Sequence, residues 1–188
     1  MNDTKLEKIF GRNYNIIQIF LARPDKEFYL TEAARELQLN KMTLYRALEE
    51  MIKCDILESR TDNYRKFYRL RKSHLIKPLK ILVNLDSRVV GEFFGKFKSK
   101  SHSIILYGSR AGGTDLADSD WDFILVSDEL DLVTINRTIA KLEKKYLTKI
   151  NVKLYSKSEY DDIRTSRTPF YLEIMANNIL LKGEPDEA

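Results

Sequence analysis

The chain has 188 residues, 32 Lys and Arg against 28 Asp and Glu, and 43% hydrophobic content. That is enough apolar material for one ordinary domain or two small ones, and it excludes a globally disordered chain. A single cysteine excludes an internal disulfide. With no apolar signal core and no apolar run of about 18 residues, the chain reads as soluble and cytoplasmic, with no membrane partner.

The charge is split along the chain. Residues 1–100 carry 21 basic and 13 acidic side chains, whereas 101–188 carry 11 and 15. A basic module joined to an acidic one is the simplest reading. In the basic part, Tyr14 to Ala22 repeats Ile16, Ile17, Phe20 and Leu21 at helical spacing and stops before Arg23-Pro24-Asp25. Thr31 is expected to cap a short helix from Glu32 to Leu37. Asn40 is expected to cap a longer one from Lys41 to Lys53 that buries Leu44, Leu48, Met51 and Ile52. Two such helices joined by a tight turn make a helix-turn-helix. Ile56 to Arg60 and Arg65 to Leu70 are strand-like and flank the turn cluster Thr61-Asp62-Asn63, so a basic hairpin follows at once.

A helix-turn-helix with a basic hairpin is a winged helix, and Met42 to Glu58 resembles the recognition helix and first wing strand of archaeal and bacterial winged-helix regulators. Those proteins usually carry a small residue where Cys54 stands and glycine where Asp55 stands. Aspartate enters the left-handed region readily, and Cys54 is expected to be a small core residue rather than a reactive thiol. On such a fold Lys41, Thr43, Tyr45 and Arg46 face the major groove of double-stranded DNA. Arg60, Tyr64, Arg65 and Lys66 on the wing meet phosphates or a minor groove. The competing reading is a winged helix that binds only protein.

From Pro78 to Phe97 the residues Leu79, Leu82, Leu85, Val89, Phe93 and Phe97 recur at three- and four-residue steps, which predicts one helix over 78–97. Its stripe is expected to cover the second domain's sheet. A homodimer through this helix is an open reading, since winged-helix relatives often dimerise through a helix placed here.

In the acidic part, Ser103 to Tyr107 reads as a buried strand that ends in Gly108-Ser109-Arg110. Ten residues separate Ser109 from Asp120-Trp121-Asp122, which opens another strand. The two-residue period puts Asp120 and Asp122 on one face and Trp121 on the other, packed against helices. Adjacent carboxylates repel unless a cation sits between them, and a hard ion with oxygen ligands, most often Mg²⁺, suits them. Gly108 permits close backbone approach, and Ser109 opens a helix whose amides suit phosphate.

Here the sequence resembles the minimal nucleotidyltransferases of the DNA polymerase beta superfamily. The resemblance runs over about residues 84–183, from Tyr107-Gly108-Ser109-Arg110 through Asp120-Trp121-Asp122 to Pro169–Met175 and Ile179–Gly183. It implies an α+β fold: a winged helix-turn-helix over 1–72, a connector over 73–83, and over 84–188 a nucleotidyltransferase-fold domain with a mixed β-sheet flanked by helices. It also implies roles. Asp120 and Asp122 ligate Mg²⁺ bound to a nucleoside triphosphate, Gly108 and Ser109 hold its phosphates, and Arg110 assists. Active members add a third carboxylate on a later strand. The matching strand here, Lys149 to Tyr155, offers only Asn151 and Lys153 on that face, and Asp115, Asp118 or Glu159 would have to substitute from loops. Three readings follow: transfer of a nucleoside monophosphate to a hydroxyl, a regulator whose transferase fold senses nucleotide or is vestigial, and a toxin–antitoxin-type partner protein. His74 and His102, the only histidines, read as surface residues, Asp161-Asp162 as solvated, and the tail from Gly183 as disordered.

Overall fold

The computed structural model describes residues 3–184, so most of the expected tail, 185–188, lies outside the described residues. The chain divides into two compact units, residues 1–83 and 84–188. No helix among the described residues is long and apolar enough to cross a membrane.

The first unit opens with α1 (Lys5–Phe10), which the sequence pattern did not reveal. Thr4 and Glu7 cap it reciprocally, each side chain accepting the other's backbone N–H at 3.3 Å. In α2 (Arg12–Ala22) the buried side are Tyr14, Ile16, Ile17, Phe20 and Leu21. A two-residue strand, β1 (Phe28–Tyr29), runs directly into α3 (Leu30–Glu36). Thr31 is therefore not the cap: Tyr29 holds that position without a side-chain hydrogen bond. Pairing of Phe28 and Tyr29 with Tyr68 and Phe67 delivers the backbone to the helix start, so no capping side chain is required. Asn40 does cap α4 (Lys41–Lys53), its Oδ1 accepting the Met42 N–H at 2.9 Å.

Beyond α4, Asp55 turns the chain at φ 58°. Cys54 is exposed, contrary to the expected core position, because the helix ends there and its side chain lines the rim of an apolar cavity of about 270 Å³ with Phe10, Tyr14 and Met51. β2 (Leu57–Asp62) and β3 (Arg65–Leu70) pair antiparallel through Asp62↔Arg65. The turn is thus Asn63-Tyr64 rather than residues 61–63, with φ of 45° and 61°. Thr61 and Asp62 stay in the ladder because Lys66 and Arg65 stand opposite them. Strand order β1-β3-β2 behind a helix-turn-helix is a winged helix. Its core joins Phe20 and Phe28, edge to face at 4.9 Å, to fully buried Leu44, Leu48, Leu57 and Tyr68.

The helix expected over 78–97 is two helices. The first is α5 (Ile76–Leu85), which contains the division between units, and the second is α6 (Arg88–Phe97). Ser87 separates them: its backbone is extended, with ψ 148°, and its Oγ accepts the Val90 N–H at 3.2 Å. A capping serine starts a new helix there although the apolar spacing runs on. Gly91 and Gly95 are exposed, with no atom of the described residues near the place where a Cβ would stand.

The second unit then runs β4 (Ser103–Tyr107), α7 (Gly108–Gly112), β5 (Trp121–Val126), α8 (Leu132–Tyr146), β6 (Ile150–Tyr155), α9 (Lys157–Ser166), α10 (Pro169–Ala176) and β7 (Asn178–Lys182). Its sheet has the order β6-β5-β4-β7, with β5 and β6 parallel and the other pairs antiparallel, a mixed sheet as expected. On one face Val89, Phe93 and Phe97 of α6 and Ile135, Ile139 and Leu142 of α8 bury Trp121, Phe123 and Leu125. Phe93 stacks on Phe123 with centroids 3.8 Å apart. On the other face Tyr160 and Ile174 cover Ile105, Ile124 and Val126. The cover on this second face stops short of β6, where Asn151 and Lys153 are exposed, and Gly108, Asp120 and Asn151 lie together near the strand ends.

Candidate functional site

Register brings the polar residues together. β4 ends at Tyr107, opposite Asp122, and the parallel pair β5–β6 sets Asn151 beside Asp122 on the other side. Asn151 Nδ2 donates to Asp122 Oδ1 at 2.9 Å and to Asp120 Oδ2 at 3.3 Å. One amide thus spans both carboxylates and relieves the repulsion that two neighbouring anions would otherwise feel. Asp120, Asp122 and Asn151 converge as sequence spacing predicted for the acids. The bridge itself was not legible, since it depends on which residue of β6 stands opposite Asp122.

The Gly108 turn closes on the same carboxylates. At φ 75°, a Cβ on Gly108 would lie 2.8 Å from Asp122 Oδ2. Only glycine leaves room for that oxygen. The Gly108 N–H donates to the Asn177 carbonyl at 3.1 Å, so this amide is committed to the fold rather than open to a phosphate. Ser109 is half-buried, and its hydroxyl makes no hydrogen bond among the described residues. Tyr107, opposite Asp122, is held protonated: burial, with the Asp122 charge nearby, pushes its phenol up to about 12.

The donor set fits one hard cation. Two carboxylates converge on a point that an amide N–H₂ group now shares, and rotation of that amide would present its oxygen instead. No group of three or more His, Cys, Asp or Glu stands together among the described residues, so Asp120 and Asp122 are joined by no third acid. The loop acids do not fill the gap. Asp115 is buried against Arg110 and Asn84, and Glu159 is taken up in a reciprocal cap with Ser156. Asp118 is exposed between α7 and β5.

Arg110, expected at the phosphates, turns inward. It is 9% exposed, its Nε donates to the Ser119 and Asp120 carbonyls at 3.1 and 3.2 Å, and its Nη2 donates to Ser119 O at 2.6 Å. The guanidinium lies 4.2 Å from the centre of the Trp121 ring. Trp121 itself is core, as expected from its face of the strand.

In the first unit, the residues expected at DNA divide into two sets. Lys41, Tyr45 and Arg46 are exposed on α4 and Thr43 is half-buried; Lys41 and Arg46 make no ion pair among the described residues. On the wing, Arg65 is exposed and Tyr64 stands wholly in solvent at the tip. Arg60 and Lys66 already hold acids: Arg60 Nη2 lies 2.6 Å from Glu27 Oε2, and Lys66 Nζ lies 2.6 Å from Glu49 Oε1. Glu27 and Glu49 are the functional neighbours that sequence reading missed, because both pairings span distant segments. His74 is exposed, and exposed His102 lies 2.9 Å from Asp128. Asp161 pairs with Lys157 and Arg164 in α9.

Residues 90–175 match the family model described as a nucleotidyltransferase domain. No curated protein matches the chain significantly. Among solved structures, the chain is similar to MepR, a transcription regulator of the Staphylococcus aureus multidrug efflux pump MepA. There the identity is 15%, over 75% of this chain and 82% of that one, with a TM-score of 0.41. It is similar to a homodimeric winged helix-turn-helix DNA-binding domain from Mycobacterium bovis (15%, 53% and 87%, 0.29). A Sulfolobus solfataricus protein described as a nucleotidyltransferase is similar at 16%, over 58% and 88%, with 0.36. Overlaps this partial leave the winged helix to rest on its own strand order, and the likeness of the second unit to nucleotidyltransferase domains on the match over residues 90–175.

Proposed function

We propose that this chain is a DNA-binding regulator whose nucleotidyltransferase domain binds a magnesium–nucleoside triphosphate as a signal and does not transfer the nucleotide. The observation that carries the reading is the Asn151 amide set between Asp120 and Asp122. Two carboxylates suffice to hold one ion and the phosphates it carries. Bound there, Mg²⁺ would neutralise part of the triphosphate charge. Transfer asks more of the protein: a group to take the proton of an attacking hydroxyl, and a further charge to hold a second cation. A neutral amide does neither, and Tyr107 stays protonated far above neutral pH.

DNA binding rests on the first unit. The exposed cations Lys41 and Arg46 sit on the second helix of the helix-turn-helix, and Arg65 sits on the wing. Arg60 and Lys66 support the wing through Glu27 and Glu49 instead of adding free positive charge.

The test uses α-labelled nucleoside triphosphates with Mg²⁺, the wild type beside an Asp120→Ala/Asp122→Ala variant, and candidate hydroxyl acceptors. Retained label bound only by the wild type, with none transferred, is the expected result. Transfer to an acceptor would overturn the signal reading, and equal retention by both proteins would remove the site.

A further inference from the structure

Behind the two carboxylates lies a buried polar ring that takes no direct part in the site. Asn84, 7% exposed, donates through Nδ2 to the Arg110 carbonyl and to Asp115 Oδ1, both at 2.9 Å. Asp115, 5% exposed, accepts from Arg110 Nη1 through its second oxygen at 3.3 Å. Arg110 spends its remaining donors on the carbonyls of Ser119 and Asp120. The guanidinium's pKa is lowered by burial, with Asp115 acting in the opposite sense.

A buried ion pair of this kind adds little net stability, because desolvating both charges offsets most of their attraction. Its return is geometric. Donors in a rigid fork fix two consecutive carbonyls immediately before Trp121, and Asp120 hangs from that stretch of backbone.

We infer that Asn84 is a positioning residue for the metal–nucleotide site. It orients Asp115, which locks Arg110, which sets the backbone that aims Asp120 at Asp122. The inference rests on the nucleotide-binding reading above, and it extends it to a residue 36 positions away in sequence that touches neither carboxylate. Groups hydrogen-bonded directly to a metal ligand are worth about 10–100-fold in affinity, and Asn84, acting through Asp115 and Arg110, is placed at the low end of that range.

Tb³⁺ serves as the probe, its luminescence sensitised by Trp121, the one tryptophan in the chain. The wild type, Asn84→Ala and Asn84→Ser are titrated under conditions where circular dichroism shows each folded, with Asp122→Asn as the site control. Exchange of the Trp121 amide is followed in parallel. Expected are about tenfold weaker Tb³⁺ binding in Asn84→Ala, a smaller loss in Asn84→Ser, and faster Trp121 exchange in both. Folded variants with unchanged Tb³⁺ affinity and unchanged exchange would overturn the inference, even if they melt earlier. Should wild-type Tb³⁺ binding prove independent of Asp122, the metal reading falls. The inference then falls with it, whereas retained Asp122 dependence with unchanged Asn84→Ala affinity overturns the inference alone.

Discussion

Two residues carry conformations that their side chains make expensive or irreplaceable. Tyr64 sits at the wing tip at φ 61°, wholly exposed, where a hairpin turn would ordinarily take glycine. A bulky residue there costs about 1 kcal/mol that glycine would not. Tyr64→Gly is therefore expected to raise the melting temperature of the first unit while weakening binding to duplex DNA, read by anisotropy. A stabilised variant with undiminished affinity would show that the wing tip stays clear of DNA. Gly108 is the opposite case, a glycine that cannot gain a methyl group. Its φ of 75° and the 2.8 Å approach of Asp122 Oδ2 mean that Gly108→Ala must displace the carboxylate. It is expected to destabilise the second unit by about 1–2 kcal/mol and to lose nucleotide retention. Normal retention in Gly108→Ala would show that Asp122 does not need its present position.

Elements were legible wherever local signals stood alone. α4 has the bounds its apolar spacing and Asn40 cap predict, because propensity, cap and burial all agree there. The break between α5 and α6 was not legible, since Leu79, Leu82, Leu85, Val89 and Phe93 keep step across it and only Asp86-Ser87 marks the interruption. The cap makes that break, so Ser87→Ala should lose about 1 kcal/mol, measured by urea denaturation; an unchanged midpoint would mean the break is set by packing alone. β1 is two residues long and exists only by pairing with β3, so no periodicity could reveal it. The site shows the same limit. Gly108, Asp120 and Asp122 stood out by spacing, and Asn151 stood out as a missing acid. The amide bridge, the inward turn of Arg110 and the Glu27 and Glu49 pairings arise from register and long-range packing that spacing does not encode.

At the scale of the whole chain, the excess of positive charge in residues 1–100 overstates what DNA would meet. With Lys53, Arg60, Lys66 and Arg69 held by Glu50, Glu27, Glu49 and Glu58, the cations of helix and wing without an acidic partner among the described residues are Lys41, Arg46 and Arg65. Each phosphate contact contributes about −0.9 to the slope of log affinity against log salt, so a slope of about −3 per chain is expected, reduced by about one in Arg46→Ala. A salt-independent affinity would mean that these cations do not meet phosphates. The acidic surplus beyond residue 100 includes Asp120 and Asp122, so the DNA and nucleotide halves of the proposed function draw on opposite signs of charge along one chain. On the proposed function the nucleotide is a signal for DNA binding. The most direct measurement is the affinity of the full chain for duplex DNA with and without magnesium–nucleoside triphosphate. A change of about fivefold or more that vanishes in Asp120→Ala/Asp122→Ala is the predicted result, the usual size of coupling between two sites. Equal affinity in the presence and absence of nucleotide, with nucleotide demonstrably bound, would contradict it.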